Sequence, residues 1–589
     1  MKSLVIAEKP SVGRDIAKVL GANGKGDGFL FNDNYIVSWA FGHLVELYDP
    51  EDYDESLKKW RRDSLPIIPA EIKLKASKDG KKQLNTLKKL MNDKEVDRLI
   101  CATDAGREGE LIFRYIYYFL KCKKPFSRLW ISSMTDKAIK DGFDSLKDGS
   151  EYDKLYDSAK CRSEADWLVG INATRAFTLK YNVLLSIGRV QTPTLAIICE
   201  RQKEINAFVP EDYFEVTADF GEYKGLWTDL KANSSKIKTE EAAAKIISET
   251  KGKEGFVKSI KKEEKKQAPP LLYDLTELQR DANSKFGFSA QKTLSIAQEL
   301  YENRKMITYP RTDSRYLSDD MIPKIHGVLK LLSFTNTYRD MAEKVTSLPK
   351  LPFSKRIIDN SKITDHHAII PTDGKLRPES LSEDEFKVFD LVARRFMAVF
   401  YPYYVYNTTT IITEINNNSF VTKGTTVKDP GWTALNIAGK KEKKEEILPD
   451  LSEGQPETAK KVTKKKKQTK PPAPYTEAAL LSAMENAGRF VEDEALKEQL
   501  KENGLGTPAT RAGIIERLIA VKYIVRKGKS LIPTEKGMKL TEVCPKELKS
   551  PQPRGAWKKG LRAISKANRE PTLFWATIKR KGNFIAAYP

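Results

Sequence analysis

Two stretches with a strand-like alternation of apolar and polar residues lie on either side of a long helical block. The first stretch, Tyr213–Trp227, contains a turn at Gly221-Glu222. The second stretch, Val405–Trp432, contains a turn at Asn416–Asn418. Because each stretch alone supplies few strands, we expect one β domain from which the chain leaves, builds an inserted domain over residues 271–404, and returns. The alternative is two separate small β domains.

The first 150 residues alternate strand and helix patterns. Apolar runs at Ser3–Ala7, Tyr35–Ala40 and Arg98–Ala102 predict strands. The segments Gly13–Leu20 and Glu110–Leu120 predict helices. Such alternation is typical of an α/β domain with a partly parallel sheet.

Three acidic residues stand where these predicted strands end. Glu8 follows the first strand, and Asp104 and Glu108 lie in the turn after the third. Open α/β sheets bind ligands at the carboxyl ends of their strands, and Mg²⁺ binds through one or two carboxylates plus substrate phosphate. We therefore expect a metal and phosphate site here, with Lys9 and Arg107 attracting the phosphate. Surface acids in local charge balance are the alternative.

Tyr309 lies in an irregular segment directly before Pro310. The proline blocks helix continuation and favours an extended backbone at the tyrosine. Arg311, two residues further on, could neutralise a phosphate that the phenol attacks. Since most of the 23 tyrosines are core or surface residues, the case for Tyr309 as a nucleophile depends on the whole string Met306–Ser314.

The chain is strongly basic, with 102 Lys and Arg against 80 Asp and Glu in 589 residues and a formal net charge of +22. Such a charge favours a polyanionic partner such as nucleic acid. The five cysteines form no C-x₂₋₄-C pair and there are only four histidines, which excludes a zinc ribbon and a His-rich metal site. No complete phosphate-binding loop of the G-x₄-G-K-[ST] type occurs, so ATP is not predicted.

Two further patterns concern location and DNA contact. No apolar run approaches the roughly 20 residues of a membrane span, and the N-terminal apolar run is too short for a signal-peptide core, so we expect a cytoplasmic protein without a membrane partner. The Lys-rich run Lys460–Lys470 predicts a solvated edge strand or linker, with direct DNA contact as the alternative. Thr507-Pro508 predicts the start of a helix that is followed by a basic hairpin, as in a winged helix.

Four motifs resemble those of type IA DNA topoisomerases, most closely the bacterial topoisomerase III branch. They are SIGRVQTPTL (186–195), ITYPRTDS (307–314), DHHAIIPT (365–372) and GLGTPATRAGIIE (504–516), and the resemblance extends from AEKPS (7–11) to about residue 548. It implies a multidomain fold of α/β, α and β parts, in which a Toprim α/β domain, winged-helix-type helical domains and a β arch form a toroid.

The resemblance also implies a division of the chain. The expected parts are a Toprim domain (1–150), a first helical DNA-groove segment (151–212), a first β-arch segment (213–270), an inserted winged-helix domain with the catalytic tyrosine (271–404), a second β-arch segment (405–475) and a second helical, winged-helix groove segment (476–589).

The implied reaction is ATP-independent. Tyr309 would attack a phosphodiester of a single strand, forming a 5′-phosphotyrosine and a free 3′ hydroxyl, and religation would follow strand passage. The result would be relaxation of negatively supercoiled DNA, decatenation, or both. By resemblance, the catalytic residues are Tyr309, Arg311, Glu8, Lys9 and His366, the DNA-binding residues are Arg162, Asp166, Arg189 and Gln191, and the Mg²⁺ ligands are Glu8, Asp104 and Glu108. Arg189 has an alternative role, pairing with an acid inside a helix.

One residue departs from the family pattern. The usual acidic string is D-x-D-x-E, and here Gly106 stands at the middle acidic position. Either water fills that metal position, or Mg²⁺ binds more weakly and depends more on DNA phosphate. We expect the first, because Mg²⁺ readily keeps waters.

The resemblance implies single-stranded and negatively supercoiled DNA as partners, a RecQ-like helicase, a monomeric enzyme and a nucleoid-associated location. Two other functions remain open at this point. A Toprim-type metal-dependent nuclease or primase would use the same acids without the tyrosine. A catalytically decayed DNA-binding protein would bind DNA in a salt-sensitive way and form no covalent adduct.

Overall fold

The computed structural model describes residues 1–131, 134, 136–363, 366–372, 377–437, 448–490 and 504–550, together with residues 561, 563–565 and 571. Asp365, the first residue of the DHHAIIPT motif, and most of 551–589 lie outside the described residues. Of the helices in the described part of the chain, none combines the length and apolarity that crossing a bilayer requires.

The N-terminal part contains nine strands and five α-helices among its described residues. The strands are β1 (Lys2–Ala7), β2 (Gly24–Gly26), β3 (Phe29–Phe31), β4 (Tyr35–Trp39), β5 (Val45–Leu47), β6 (Leu74–Ala76), β7 (Val96–Ala102), β8 (Phe126–Arg128) and β9 (Lys147–Asp148), and the helices are α1 (Pro10–Val19), α2 (Pro50–Tyr53), α3 (Lys81–Asn92), α4 (Arg107–Phe119) and α5 (Asp136–Asp144). Seven strands form one sheet in the order β2-β3-β4-β1-β7-β8-β9.

Strand β1 lies at the centre of this sheet. It pairs in parallel with β4 and β7, and its residues from Ser3 onward are buried. A strand covered on both faces needs apolar side chains on both, as in the run Leu4–Ala7. The partly parallel α/β sheet that the sequence predicted is therefore present.

Two helix boundaries differ from the predicted ones and affect the site. Helix α1 begins at Pro10 rather than at Gly13, because proline is favoured in the first helical turn. Helix α4 begins at Arg107 rather than at Glu110. Glu108 therefore lies in the first turn of a helix and not in the preceding loop.

A second seven-stranded sheet combines both β stretches. Its strands are β10 (Asp212–Asp219), β11 (Lys224–Trp227), β12 (Glu254–Gln267), β13 (Tyr404–Ile415), β14 (Asn418–Asp429), β15 (Pro456–Thr458) and β16 (Lys461–Gln468), and α8 (Glu240–Thr250) packs against it. The strand order is β15-β12-β13-β14-β11-β10-β16. The two stretches thus share one sheet and do not form two separate β domains. The Lys-rich run forms the edge strand β16, as predicted, and most of its lysines are exposed.

Between β12 and β13 the chain forms a helical unit with its own apolar core. Its helices are α9 (Leu275–Phe286), α10 (Ala290–Glu302), α11 (Ile322–Ser333), α12 (Arg339–Thr346) and α13 (Glu383–Ala398). The chain enters this unit from β12 and leaves it into β13. The two strands are paired, with Gln267 opposite Tyr404.

A third core joins two distant chain segments. The first segment contributes α6 (Asp153–Tyr181) and α7 (Gln191–Ala207), and the second contributes α14 (Glu477–Glu485), helices Pro508–Ala520, Glu535–Val543 and Lys546–Lys549, and the hairpin β17 (Ile524–Lys527) and β18 (Ser530–Pro533). Apolar residues of both segments, such as Leu168, Leu195 and Ile515, are buried in one cluster. The helix from Pro508 to Ala520 and its hairpin match the predicted winged-helix pattern.

Candidate active site

The ends of two neighbouring strands bring Glu8 and Asp104 together. Strands β1 and β7 run in parallel, with Ala7 opposite Ala102, so the residues that follow them emerge at one edge of the sheet. The backbone N–H of Asp104 donates a hydrogen bond to Glu8 Oε2 at 3.2 Å. The sequence prediction that strand-end acids meet therefore holds for this pair.

Tyr309 reaches the same edge from the inserted helical unit. After α10 the chain is extended, and Thr308 N–H bonds to the carbonyl of Ile370 at 2.9 Å. The Tyr309 ring then packs between Tyr301 and His366, with centroid separations of 5.4 and 4.3 Å. Lys9 Nζ donates a hydrogen bond to the phenol oxygen of Tyr309.

Lys9 also connects the phenol with the acidic pair. Its Nζ lies 3.8 Å from Glu8 Oε1 and 4.5 Å from the centroid of the Tyr309 ring. An ammonium in this position stabilises negative charge on either oxygen. The three side chains Glu8, Lys9 and Tyr309 thus form one contact group.

The environment separates the protonation states of the two carboxyls. Burial, and then the charge of Asp104, raises the pKa of Glu8 to about 7. Burial also opposes ionisation of Asp104, but His366 and Lys9 outweigh it and hold the pKa of Asp104 below its ordinary value. His366 Nε2 lies 3.6 Å from Asp104 Oδ2. At neutral pH a protonated carboxyl can donate its proton, and an ionised carboxylate beside it can stabilise a proton that arrives.

Tyr309 is a neutral phenol in this environment. Burial raises its pKa well above 10, and the nearby charges of Asp104 and Glu8 act in the same direction. Arg311 opposes this shift. Ionisation of the phenol therefore depends on the cationic groups already beside it, Lys9 and Arg311.

These groups face a cleft with a volume of about 810 Å³. Its lining includes Arg14, Phe41, Arg162 and the segment Thr507–Thr510, besides the residues already described. Arg311 lines the cleft too, and its buried Nε has no hydrogen-bond partner among the described residues. A buried donor without a partner costs free energy, which a bound anionic oxygen would recover.

Glu108 does not join Glu8 and Asp104. Its Oε1 lies 2.7 Å from His43 Nε2, and this contact holds the pKa of Glu108 below its ordinary value. In the part of the chain that the structure describes, no three His, Cys, Asp or Glu side chains are grouped so as to hold a metal ion. Glu8 and Asp104 alone still offer the one or two carboxylates that Mg²⁺ requires beside substrate oxygens and water.

Gly106 precedes α4 with extended backbone angles, φ −164° and ψ 177°. These angles are open to any residue. Glycine is therefore not required here for conformational reasons, and its effect on the site is the loss of a side chain.

The four residues assigned to the DNA groove lie on or beside α6 and α7. Arg189 makes a bidentate ion pair with Asp166, at 2.5 and 2.8 Å, so the pairing with a helix acid that was considered for Arg189 is present in the absence of DNA. Arg162 Nε lies 4.0 Å from the same carboxylate. Gln191 begins α7 and its amide lies 3.5 Å from the carbonyl of Ser186.

Several contributors to the site are absent from the sequence-based prediction, and three of them stand out. They are His43, Tyr301 and the segment Thr507–Thr510. The segment carries a recognisable helix-start signal, but no local pattern marks His43 or Tyr301 as neighbours of the acids or of Tyr309. Their roles follow only from tertiary packing.

Comparison with known proteins is consistent with this geometry. A family model described as DNA topoisomerase matches residues 150–575, and one described as Toprim domain matches residues 3–134. The chain is 45% identical over 588 residues to DNA topoisomerase 3 of Bacillus subtilis (strain 168), covering 98% of this chain and 80% of that protein. It is likewise 45% identical over 587 residues to DNA topoisomerase 3 of Bacillus licheniformis, with the same coverage.

A solved structure shares the fold. Full-length topoisomerase I from Thermotoga maritima matches with a TM-score of 0.73 at 24% identity, covering 99% of this chain and 90% of that chain. This likeness confirms the expected fold class, with a Toprim domain, helical domains and a β arch. The chain therefore belongs to the type IA DNA topoisomerases, isomerases that cut one DNA strand transiently and pass DNA through the break without ATP.

Proposed function

We propose that Tyr309 is the nucleophile of this topoisomerase. Its oxygen attacks a phosphodiester of a single strand while the phenol proton passes to water in the cleft, the bond to the 3′ oxygen breaks, and a 5′-phosphotyrosine remains. The observation that supports this assignment is the hydrogen bond from Lys9 to the phenol oxygen, beside an acid of raised pKa. Lys9 stabilises the charge that develops on the phenol oxygen as it attacks.

Glu8 is the general acid in this proposal. With a pKa of about 7 it is partly protonated near neutral pH and can give its proton to the departing 3′ oxygen. In religation the same residue, then ionised, takes the proton back from the 3′ hydroxyl. Arg311 and His366 bind the scissile phosphate, Arg311 through a guanidinium whose buried Nε lacks a partner in the described chain.

Mg²⁺ is the proposed cofactor. Asp104 and Glu8 are the residues that would hold it. Glu108 would join them if its carboxylate gave up the contact with His43. When bound, the ion supplies positive charge beside the DNA phosphate. Water takes the place of the side chain that Gly106 lacks.

The DNA strand lies along α6 and α7 in this proposal, against Arg162, Asp166, Arg189 and Gln191. The position of these residues on or beside the helices next to the cleft supports the assignment. The domain division proposed from the resemblance is 1–150, 151–212, 213–270, 271–404, 405–475 and 476–589, and its last part lies largely outside the described residues after 550.

The proposed substrates are single-stranded and negatively supercoiled DNA, with relaxation, decatenation or both as the outcome. We further propose a monomeric, cytoplasmic and nucleoid-associated enzyme that works with a RecQ-like helicase. The net charge of +22 supports a nucleic-acid partner.

The deciding experiment uses two single-stranded oligonucleotides, one labelled at its 5′ end and one at its 3′ end. The protein is incubated with each, with and without Mg²⁺, and the reaction is stopped with detergent. A covalent adduct that keeps the 3′ label and disappears in Tyr309→Phe is the expected result. Cleavage that survives in Tyr309→Phe would indicate a nuclease. DNA binding without an adduct and without plasmid relaxation would indicate a decayed site.

A further inference from the structure

A fully buried arginine holds the loop that carries Asp104. Arg128, on β8, has no exposed surface. Its Nη1 donates to the carbonyls of Thr103 at 2.7 Å and Cys101 at 3.0 Å, and its Nη2 donates to the carbonyl of Asp104 at 2.6 Å. The planar guanidinium spreads its donors in a fixed fork that reaches separate carbonyls, whereas an ammonium concentrates its three donors on one nitrogen.

The peptide of Asp104 is restrained from other sides as well. Its N–H bonds to Glu8, and a Cβ added to Gly109 would lie 2.2 Å from its carbonyl oxygen. Thr103 closes the loop by donating its hydroxyl to the carbonyl of Gly109 at 2.7 Å. The position of Asp104 therefore depends on a close fit between this loop, α4 and Arg128.

The same arginine is tied to a second one through Glu110. Glu110 is completely buried, with Oε2 3.0 Å from Arg128 Nε and Oε1 2.8 Å from Arg114 Nε. Arg114, 2% exposed, donates in turn to the carbonyl of Gly149 at 2.7 Å and to Asp153 Oδ1 at 2.8 Å. Asp153 is the first residue of α6, the helix on which Arg162 and Asp166 lie.

We propose that Arg128, Glu110 and Arg114 form a positioning network that couples the Asp104 loop to the start of α6. The network places the acidic pair relative to the helix proposed to hold the DNA strand. Burying two guanidinium groups on one carboxylate is costly unless their donors are satisfied. The Nη donors of Arg128 and the donors of Arg114 end on the two segments that must be aligned, whereas Arg128 Nε and Glu110 Oε2 meet as an ion pair without a hydrogen bond. The purpose given to the network rests on the proposed function, whereas the experiment below tests the network without assuming that function.

The test measures hydrogen exchange of backbone amides in metal-free protein. Arg128→Lys keeps the charge beside Glu110 but cannot span the loop carbonyls, so exchange in residues 101–110 rises by about tenfold or more. Arg114→Lys raises exchange at residues 149–157, and through Glu110 also at residues 101–110. The control is Arg395→Lys, because Arg395 is also buried and pairs with Asp281 at 2.6 Å in the inserted helical unit. It leaves both segments unchanged.

A second readout concerns the metal. The rise in unfolding temperature on adding Mg²⁺ reports binding to the folded protein. Arg128→Lys needs about tenfold more Mg²⁺ for the same rise, as expected when a residue that positions a ligand is lost. The double variant with Arg114→Lys needs no more than Arg128→Lys alone, because both substitutions break one network.

Three results would overturn the network. The first is unchanged amide exchange at residues 101–110 in Arg114→Lys. The second is faster exchange at those residues in Arg395→Lys. The third is a Mg²⁺ requirement of the double variant in which the effects of the two single substitutions multiply. If Arg128→Lys does not fold, Glu110→Gln replaces it, since the amide keeps the shape and removes the charge shared by both arginines. Absence of the covalent adduct in the wild-type protein would refute the proposed function and leave the exchange measurements to decide the network.

Discussion

The ammonium of Lys9 donates a hydrogen bond to the phenol oxygen of Tyr309, although 300 residues separate them in the chain. Lys9 directly follows Glu8 at the end of β1, and Tyr309 follows α10 of the inserted helical unit. The contact therefore closes the N-terminal sheet against the inserted unit at the proposed cleavage site. Separating the two would expose the cleft and break this bond.

Removing only the phenol oxygen should abolish the covalent chemistry. Phe at position 309 keeps the ring contacts with Tyr301 and His366, so the stability of Tyr309→Phe should stay within about 1 kcal/mol of wild type. Adduct formation with a 3′-labelled oligonucleotide should be undetectable. The control is Tyr301→Phe, whose ring lies 5.4 Å from that of Tyr309 and which should still form the adduct. An adduct in Tyr309→Phe would remove Tyr309 from its proposed role.

The raised pKa of Glu8 should give the two half-reactions opposite pH dependences. Cleavage needs the protonated acid, so its single-turnover rate should fall as the pH rises through about 7. Religation needs the ionised form and should slow as the pH falls below about 7. Rapid-quench measurements from pH 5.5 to 8.5 would show both, and Glu8→Gln should lack both dependences. Parallel profiles for the two steps would contradict the assignment.

The same group should also affect stability. Because the pKa of Glu8 is raised from 4.5 to about 7 on folding, ionisation is disfavoured in the native state. The free energy of unfolding contributed by this group is therefore lost progressively as the pH rises from about 4.5 to about 7. Glu8→Gln should be more stable than wild type at pH 8 and similar to it at pH 4.5, as measured by denaturant unfolding.

Replacing Arg311 by Lys should affect the chemical step more than binding. The guanidinium offers a planar set of donors to the phosphate, whereas the ammonium offers a point charge. We expect cleavage to slow by about a hundredfold, or about 3 kcal/mol, while the Kd for single-stranded DNA changes by less than about threefold, since one phosphate contact among many is retained. An equal loss in both quantities would indicate a role in binding alone.

Restoring a carboxylate at position 106 should strengthen metal binding. The extended backbone of Gly106, with φ −164°, accepts Asp without strain, and a further carboxylate adds an oxygen ligand for Mg²⁺. Gly106→Asp should therefore lower the Mg²⁺ concentration for half-maximal plasmid relaxation. Gly106→Asn has the same size without the charge and should remain close to wild type. Equal behaviour of the two variants would place position 106 outside the metal site.

Breaking the Asp166–Arg189 ion pair should change DNA binding. The bidentate contact at 2.5 and 2.8 Å occupies the guanidinium of Arg189. In Asp166→Asn the groove loses one negative charge and Arg189 becomes available to phosphate, so the protein should bind single-stranded DNA more tightly at low salt. The difference should shrink as the salt concentration rises. Fluorescence anisotropy at several salt concentrations would measure it, and weaker binding would show that Asp166 itself holds the strand.

Local patterns were sufficient for the elements of the site. The apolar run before Glu8, the apolar run before Asp104 and the proline after Tyr309 predict where each segment ends, because periodicity and backbone restriction act over a few residues. The start of the helix at Pro508 was predicted in the same way. The motif resemblance then supplied the family, which the comparisons confirm.

Tertiary structure decided which of these residues meet. Glu8 and Asp104 converge because β1 and β7 pair in parallel, whereas Glu108, in the first turn of α4, contacts His43 instead. Arg189 pairs with Asp166 across two helices, and Lys9 meets Tyr309 across 300 residues. Such contacts depend on how separate elements pack, and packing joins residues whose spacing in the chain carries no signal. Local sequence patterns and motifs therefore predict the segments and the family, whereas the packing of separate elements sets the contacts that tune Glu8 and position Asp104.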